Sequence, residues 1–141
     1  MSASLLGDQE REAVRELFAG IERDVELVLE LGPSSEAVTV IGGRRELDPG
    51  GETTRLVQEL AELSDHVRVR TAEHEEPGRY PALRIGDGLS YHGLPWGYEL
   101  SSLVYGIAEA GRAQRELQDA TREALAGLAR DVELEVYVTP T

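Results

Sequence analysis

The sequence predicts an α/β domain built on one mixed sheet, with helices on the faces of that sheet. Segments with apolar residues at helical spacing alternate along the chain with short runs whose apolar residues recur at every second position. One pair of strand candidates is separated by a helix and another is joined by the turn Gly86-Asp87-Gly88, so parallel and antiparallel neighbours are expected together. With 141 residues, 40% of them hydrophobic, the chain is long enough to bury a core as one domain of ordinary size.

The elements follow in order. Asp8 is expected to cap a helix running to about Gly20, with Val14, Leu17, Phe18 and Ile21 on one face. The run 25–31, VELVLEL, places Val25, Leu27, Leu29 and Leu31 on one side of a strand and Glu26 and Glu30 on the other. Gly32-Pro33-Ser34-Ser35 ends it. The apolar run 37–41 is expected as a short extra strand, and the turn-rich stretch 42–51 as a loop. A helix is expected over 52–63, with Leu56, Val57, Leu60 and Leu63 inward, and the alternating run 66–71 as a half-buried strand. Residues 81–85 and 89–93 form a hairpin about the Gly-Asp-Gly turn. A helix from about Tyr98 turns Leu100, Leu103, Val104 and Ile107 inward. A further helix over 117–129 carries Leu117, Ala124, Leu125 and Leu128, and a closing strand is expected to bury Val132, Leu134, Val136 and Val138.

Composition excludes several kinds of function. The formal net charge is −13, from 27 acidic and 14 basic residues, a field that repels phosphate backbones and anionic membranes. No nucleic acid and no membrane are therefore expected as partners. Every basic residue is Arg, so no Walker-type or Schiff-base lysine exists. A salt-adapted or GC-rich source and plain solubility explain this composition equally well. With no Cys there is no disulfide, no thiol nucleophile and no cysteine metal site. No apolar run approaches the roughly 18 residues of a membrane span, the N-terminus lacks a basic start and an apolar core, and the expected location is cytoplasmic.

The chain also repeats itself. The helix-then-strand stretch ending RDVELVLELGP at residue 33 is echoed by the stretch ending RDVELEVYVTP at residue 140, and Arg130 follows Arg23 by 107 residues. A repeat of that size is a duplicated domain rather than a solenoid. The expected division is a full unit over 1–112 and the first helix and strand of a second unit over 113–141. A strand there must pair with the first sheet, pair with another molecule or stay exposed.

Without the 37–41 excursion and the last two elements, the order α-β-α-β-β-β-α is that of a thioredoxin-like three-layer fold. The stretches VELVLEL, LVQELAELSDHV, YPALRI, YHGLPWGYELSSLV and TREALAGLARDVELEVYVTPT carry a closer likeness. The chain resembles the tandem thioredoxin-fold proteins: glutaredoxin-like protein disulfide oxidoreductases and the N-terminal domain of the alkyl hydroperoxide reductase F subunit. The likeness covers all but residues 32–51 and implies a parent chemistry of thiol–disulfide exchange. It further implies that a C-x-x-C motif, its first thiolate favoured at a helix N-terminus, would follow Thr141. In the first unit the same motif would fall either on the positions from Ser35 to Val38 or on those from Leu47 to Gly50; both lack sulfur. RYPAL resembles the family's cis-proline segment, so Tyr80-Pro81 is expected to be cis.

The remaining candidates are weaker. His66, His74 and His92 are scattered, and the stretch EHEE around His74 reads as a solvated acidic loop before it reads as a cation site. Gly42-Gly43-Arg44-Arg45 offers an anion two guanidinium groups, but an exposed turn is the simpler reading. Trp96 and Tyr98 offer an aromatic docking surface, against packing of their helix on the sheet. No catalytic, cofactor-binding or metal residue is assigned. The expected role is a redox-inactive thioredoxin-fold unit of a thiol–disulfide oxidoreductase, structural or partner-docking, completed by a protein partner or the second unit. The alternative is a stand-alone cysteine-free binding module, with a homodimer through its C-terminal strand.

Overall fold

The computed structural model describes residues 4–33, 48–95 and 97–138. Helix α1 (Asp8–Phe18) leads into strand β1 (Val25–Leu31). Helix α2 (Pro49–Ala61) connects to β2 (Val67–Glu73), and the hairpin β3 (Ala82–Ile85) and β4 (Leu89–His92) leads to α3 (Tyr98–Ala110) and α4 (Asp119–Ala126). The four strands form one mixed sheet in the order β2-β1-β3-β4. β1 runs parallel to β2 and antiparallel to β3, and β3 pairs antiparallel with β4.

β1 is central, paired along both of its edges, and its sequence suits burial on one face. Val25, Leu27 and Leu29 point into the core, and Leu27 and Leu29 are fully buried. Opposite them Leu83 and Ile85 of β3 pair with Leu29 and Leu27, and Val67 of β2 pairs with Val25, so one face of the sheet is continuously apolar. Val14 and Phe18 of α1, Leu56, Val57 and Leu60 of α2, and Leu103 and Ile107 of α3 close on that face as a single cluster. Each such side chain stabilises the fold by about 1.5–3 kcal/mol relative to exposure.

The other face is charged. Glu26 and Glu30 share it with Arg68, Arg70 and Arg84 around a buried Val28. Arg70 and Arg84 are the cross-strand partners of Val28, and their aliphatic stems account for its burial among charges.

Two helix starts differ from the sequence expectation. Gly7, not Asp8, caps α1; its N–H donates to Glu10 Oε2 at 2.8 Å, and Asp8 falls in the first turn, where an acid suits the helix dipole. α2 begins at Pro49, before the expected Glu52, because Asp48 accepts the Gly51 N–H at 3.0 Å and Pro49 needs no partner at the first helical position.

The C-terminal expectation needs the larger correction. α4 forms over Asp119–Ala126 but buries nothing. Residues 131–138 join no strand, and Val132, Leu134, Val136 and Val138 are exposed rather than buried. Their pattern is that of a strand, but among the described residues no strand of the sheet pairs with them, and pairing is what makes a strand. Leu117, Leu125 and Leu128, which the sequence placed on the 117–129 helix, are likewise exposed. The buried hydrophobic residues run from Leu6 to Ala108. Among the described residues, no helix is long and apolar enough to cross a membrane.

Candidate functional site

Three pieces of chain meet where β1 ends. The start of α2 lies beside it, since a Cβ on Gly50 would sit 3.6 Å from Leu31 Cδ2. The loop between β2 and β3 folds back on the same end: His74 N–H donates to Leu31 O at 2.8 Å and Gly78 N–H to Pro33 O at 3.1 Å. That loop delivers Tyr80-Pro81, whose peptide bond is cis. Pro81 O in turn accepts the Gly93 N–H at 2.8 Å, tying the loop to the end of β4.

The Tyr80 ring sets the shape of the loop. It stacks on the His74 imidazole with centroids 5.1 Å apart and planes 10° apart. Gly32 and Gly78 give it room, because a Cβ on either would come within 2.8 Å of the ring. His74 Nε2 lies 3.6 Å from Glu30 Oε1, and Arg84 Nε lies 3.5 Å from the same oxygen. One carboxylate on β1 thus gathers groups from the loop and from β3.

The chemistry available here is limited. The first turn of α2 offers Asp48, Pro49, Gly50 and Gly51, and the Asp48 carboxylate already occupies the Gly51 N–H. Thr53, one turn further on, buries a hydroxyl with no hydrogen-bond partner. No thiol can stand here, because the chain has no Cys. Gly50 is placed at this helix start; Ser35, Val38 and Leu47 lie outside the described residues, as do Arg44, Arg45 and Trp96. The strand expected over 37–41 is outside them too. Tyr98 is 85% exposed at the start of α3 and does not pack on the sheet. The three histidines stay apart: His66 Nδ1 lies 3.0 Å from Asp24 Oδ1, and His92 Nδ1 lies 3.2 Å from Arg79 O. Among the described residues, no cluster of three metal-ligating groups exists.

Sequence reading missed the paired charges of the open face. Arg70 Nε reaches Glu26 Oε1 at 3.1 Å, and Arg68 Nε lies 3.4 Å from Asp24 Oδ2. The hydrogen bond to His66, and then the Arg68 guanidinium, hold the Asp24 carboxyl below the ordinary range. The alternation of Val67, Arg68, Val69 and Arg70 already placed both arginines on one face; what it lacked was the adjacency of β1.

No family model matches the chain. It is 28% identical over 134 residues, 93% of its length, to the alkyl hydroperoxide reductase F subunit of Staphylococcus epidermidis. It is 24% identical over 127 residues to an NADH dehydrogenase of Bacillus subtilis. It spans about a quarter of each relative, 24% and 25%. Among solved structures, the N-terminal N/C domain of the alkyl hydroperoxide reductase F subunit from Enterococcus faecalis matches with TM-score 0.70 and 18% identity, over 89% of this chain and 62% of that one. A protein disulfide oxidoreductase from Aeropyrum pernix matches with TM-score 0.67 and 22% identity, over 86% of this chain and 55% of that one. The mixed four-stranded sheet and its helices are a thioredoxin-like α/β fold.

Proposed function

We propose that this chain, homologous to the N-terminal domain of the alkyl hydroperoxide reductase F subunit, is a redox-inactive thioredoxin-fold unit of a thiol–disulfide electron-transfer system. Its role is structural or partner-docking. The observation that carries the reading is the helix start at Asp48–Gly51 beside the Tyr80-Pro81 loop, in a chain with no Cys. Thiol–disulfide exchange proceeds by thiolate attack through a mixed disulfide, and no residue of this chain can form one. The partner the reading calls for is a protein that carries the thiols, either a second thioredoxin-like unit or a separate molecule.

Dithiol-dependent reduction of insulin, with the full chain as the only added protein, tests the reading. The expected rate equals that of buffer. Turnover above buffer in a chain confirmed by mass to be unmodified would overturn it.

A second reading rests on the exposed row Val132, Leu134, Val136 and Val138. A cysteine-free thioredoxin fold bearing an unpaired apolar segment suits a binding or dimerisation module that acts by adding a strand.

A further inference from the structure

The loop that leaves β2 is tied to the end of β1 by backbone and by one ring. His74 N–H donates to Leu31 O, and Gly78 N–H to Pro33 O. The His74 side chain, 38% exposed, lies flat against Tyr80 and turns Nε2 toward Glu30 of β1.

Nε2 and Glu30 Oε1 stand 3.6 Å apart. A hydrogen bond from nitrogen to oxygen spans about 2.7–3.2 Å. A neutral imidazole therefore gains little here. With its proton on Nε2 the ring stands too far from the oxygen, and with its proton on Nδ1 it turns a lone pair toward the carboxylate. A protonated ring gains twice. The imidazolium and Glu30 become an ion pair across that gap. The positive ring also lies over the π-face of Tyr80, with centroids 5.1 Å apart, inside the reach of about 6 Å for a cation–π contact. The proton thus decides how firmly this side-chain link joins the loop to the sheet.

The charges around the ring are mixed. Glu30 faces it from β1, and Arg84 of β3 places Nε 3.5 Å from the same Glu30 oxygen, which keeps the gain modest. Within the loop, Glu73, Glu75 and Glu76 adjoin His74 in the chain, and Arg79 Nη1 lies 3.8 Å from Glu135 Oε1. At the start of α2, the Asp48 carboxylate is taken up by the Gly51 N–H. We propose that His74 is a proton-operated latch on this loop. Protonated, it clips the loop to Glu30; neutral, it lets the loop lift from the end of β1. The latch holds at low pH and slackens as pH rises through the range in which histidine gives up its proton, about pH 5–8. Because the loop meets the first turn of α2 at the end of β1, its seating alters the surface offered there. The latch goes beyond the redox-inactive reading and does not depend on it.

Amide hydrogen exchange of the full chain, read by NMR, tests the proposal. Rates are expressed as protection factors, which removes the intrinsic pH dependence of exchange. The reporter is the Gly78 N–H, bonded to Pro33 O at 3.1 Å. Its protection is expected to fall about two- to fivefold from about pH 5.5 to about pH 8, the worth of an exposed ion pair. His74→Phe keeps a ring against Tyr80 without the charge and is expected to flatten the profile. Glu30→Gln leaves the imidazole titratable and is expected to shrink the fall. His92→Gln is the control, because His92 Nδ1 lies 3.2 Å from Arg79 O of the same loop. In that variant the fall is expected to persist. Retained protection of the β1 amides reports that each variant keeps its sheet. A flat profile in the unaltered chain, an equal fall in His74→Phe, or a fall abolished by His92→Gln overturns the proposal. Each of these results leaves the insulin assay untouched, so the latch and the redox-inactive reading fail separately.

Discussion

Glu59 of α2 accepts the Leu5 N–H at 2.7 Å and so fastens the segment before α1 to the second helix. The same carboxylate takes the Ser4 hydroxyl at 2.7 Å and the Leu6 N–H at 3.3 Å, and Arg11 Nη1 lies 3.3 Å away. Burial pushes its pKa up, but the Leu5, Ser4 and Leu6 hydrogen bonds and the Arg11 charge outweigh burial and hold the pKa below the ordinary value. Leu6, buried in the core, depends on this anchor for its position. Glu59→Gln is expected to cost about 1–3 kcal/mol of unfolding free energy at pH 7. A carboxyl with a lowered folded pKa contributes stability that is present above its unfolded pKa and lost as pH falls through the folded one. The gap between wild type and variant should therefore close on acidification below the ordinary glutamate range. Urea unfolding at a series of pH values measures it, and a gap independent of pH would contradict the assignment.

Tyr80 demands glycine on both sides. Gly32→Ala or Gly78→Ala is expected to destabilise by about 1–3 kcal/mol, because the added methyl must displace the ring. In a Tyr80→Ala background the same substitutions should cost much less. A double-mutant cycle reads the coupling directly, and additive costs would show that the ring is not the obstacle.

The repeat supplies its own control. Leu27→Ala, at a fully buried position, is expected to cost about 2–5 kcal/mol. Leu134→Ala, at the corresponding position 107 residues on, should leave monomer stability within about 0.5 kcal/mol. Thermal unfolding at low protein concentration compares the two.

Tyr91 packs against the core at the edge of the sheet. Burial, and then the Glu99 charge, push its pKa up. Of the five tyrosines it should deprotonate late in a spectrophotometric titration. Tyr91→Phe should remove the late phase, and Glu99→Gln should bring it earlier.

Much of this is legible in the sequence, for reasons that can be named. β1 carries apolar residues at every second position, and its bounds are readable from Asp24 on one side and Gly32-Pro33 on the other. The hairpin is readable from its Gly-Asp-Gly turn. The true start of α2 is written as Asp48-Pro49, a cap followed by a first-turn proline, but the surrounding glycines read more strongly as a loop. The last segment defeats sequence reading because alternation says which residues share a face and nothing about whether a neighbour exists. At the candidate site, Pro81 and Gly50 are placed by their chain neighbours, while the His74–Tyr80 stack joins two residues of one loop that no periodicity links.

The solvated stretch after Gly111 has a consequence for the handling of the polypeptide. Arg115, Arg122 and Arg130 stand on exposed backbone, two of them flanking α4, which buries no side chain. Trypsin meets these bonds without first opening the core, which begins at Leu6 and closes at Ala108. Trimming there removes the exposed apolar side chains Leu125, Leu128, Val132, Leu134 and Val136 together. Brief digestion should thus convert the chain into a smaller fragment with its sheet intact.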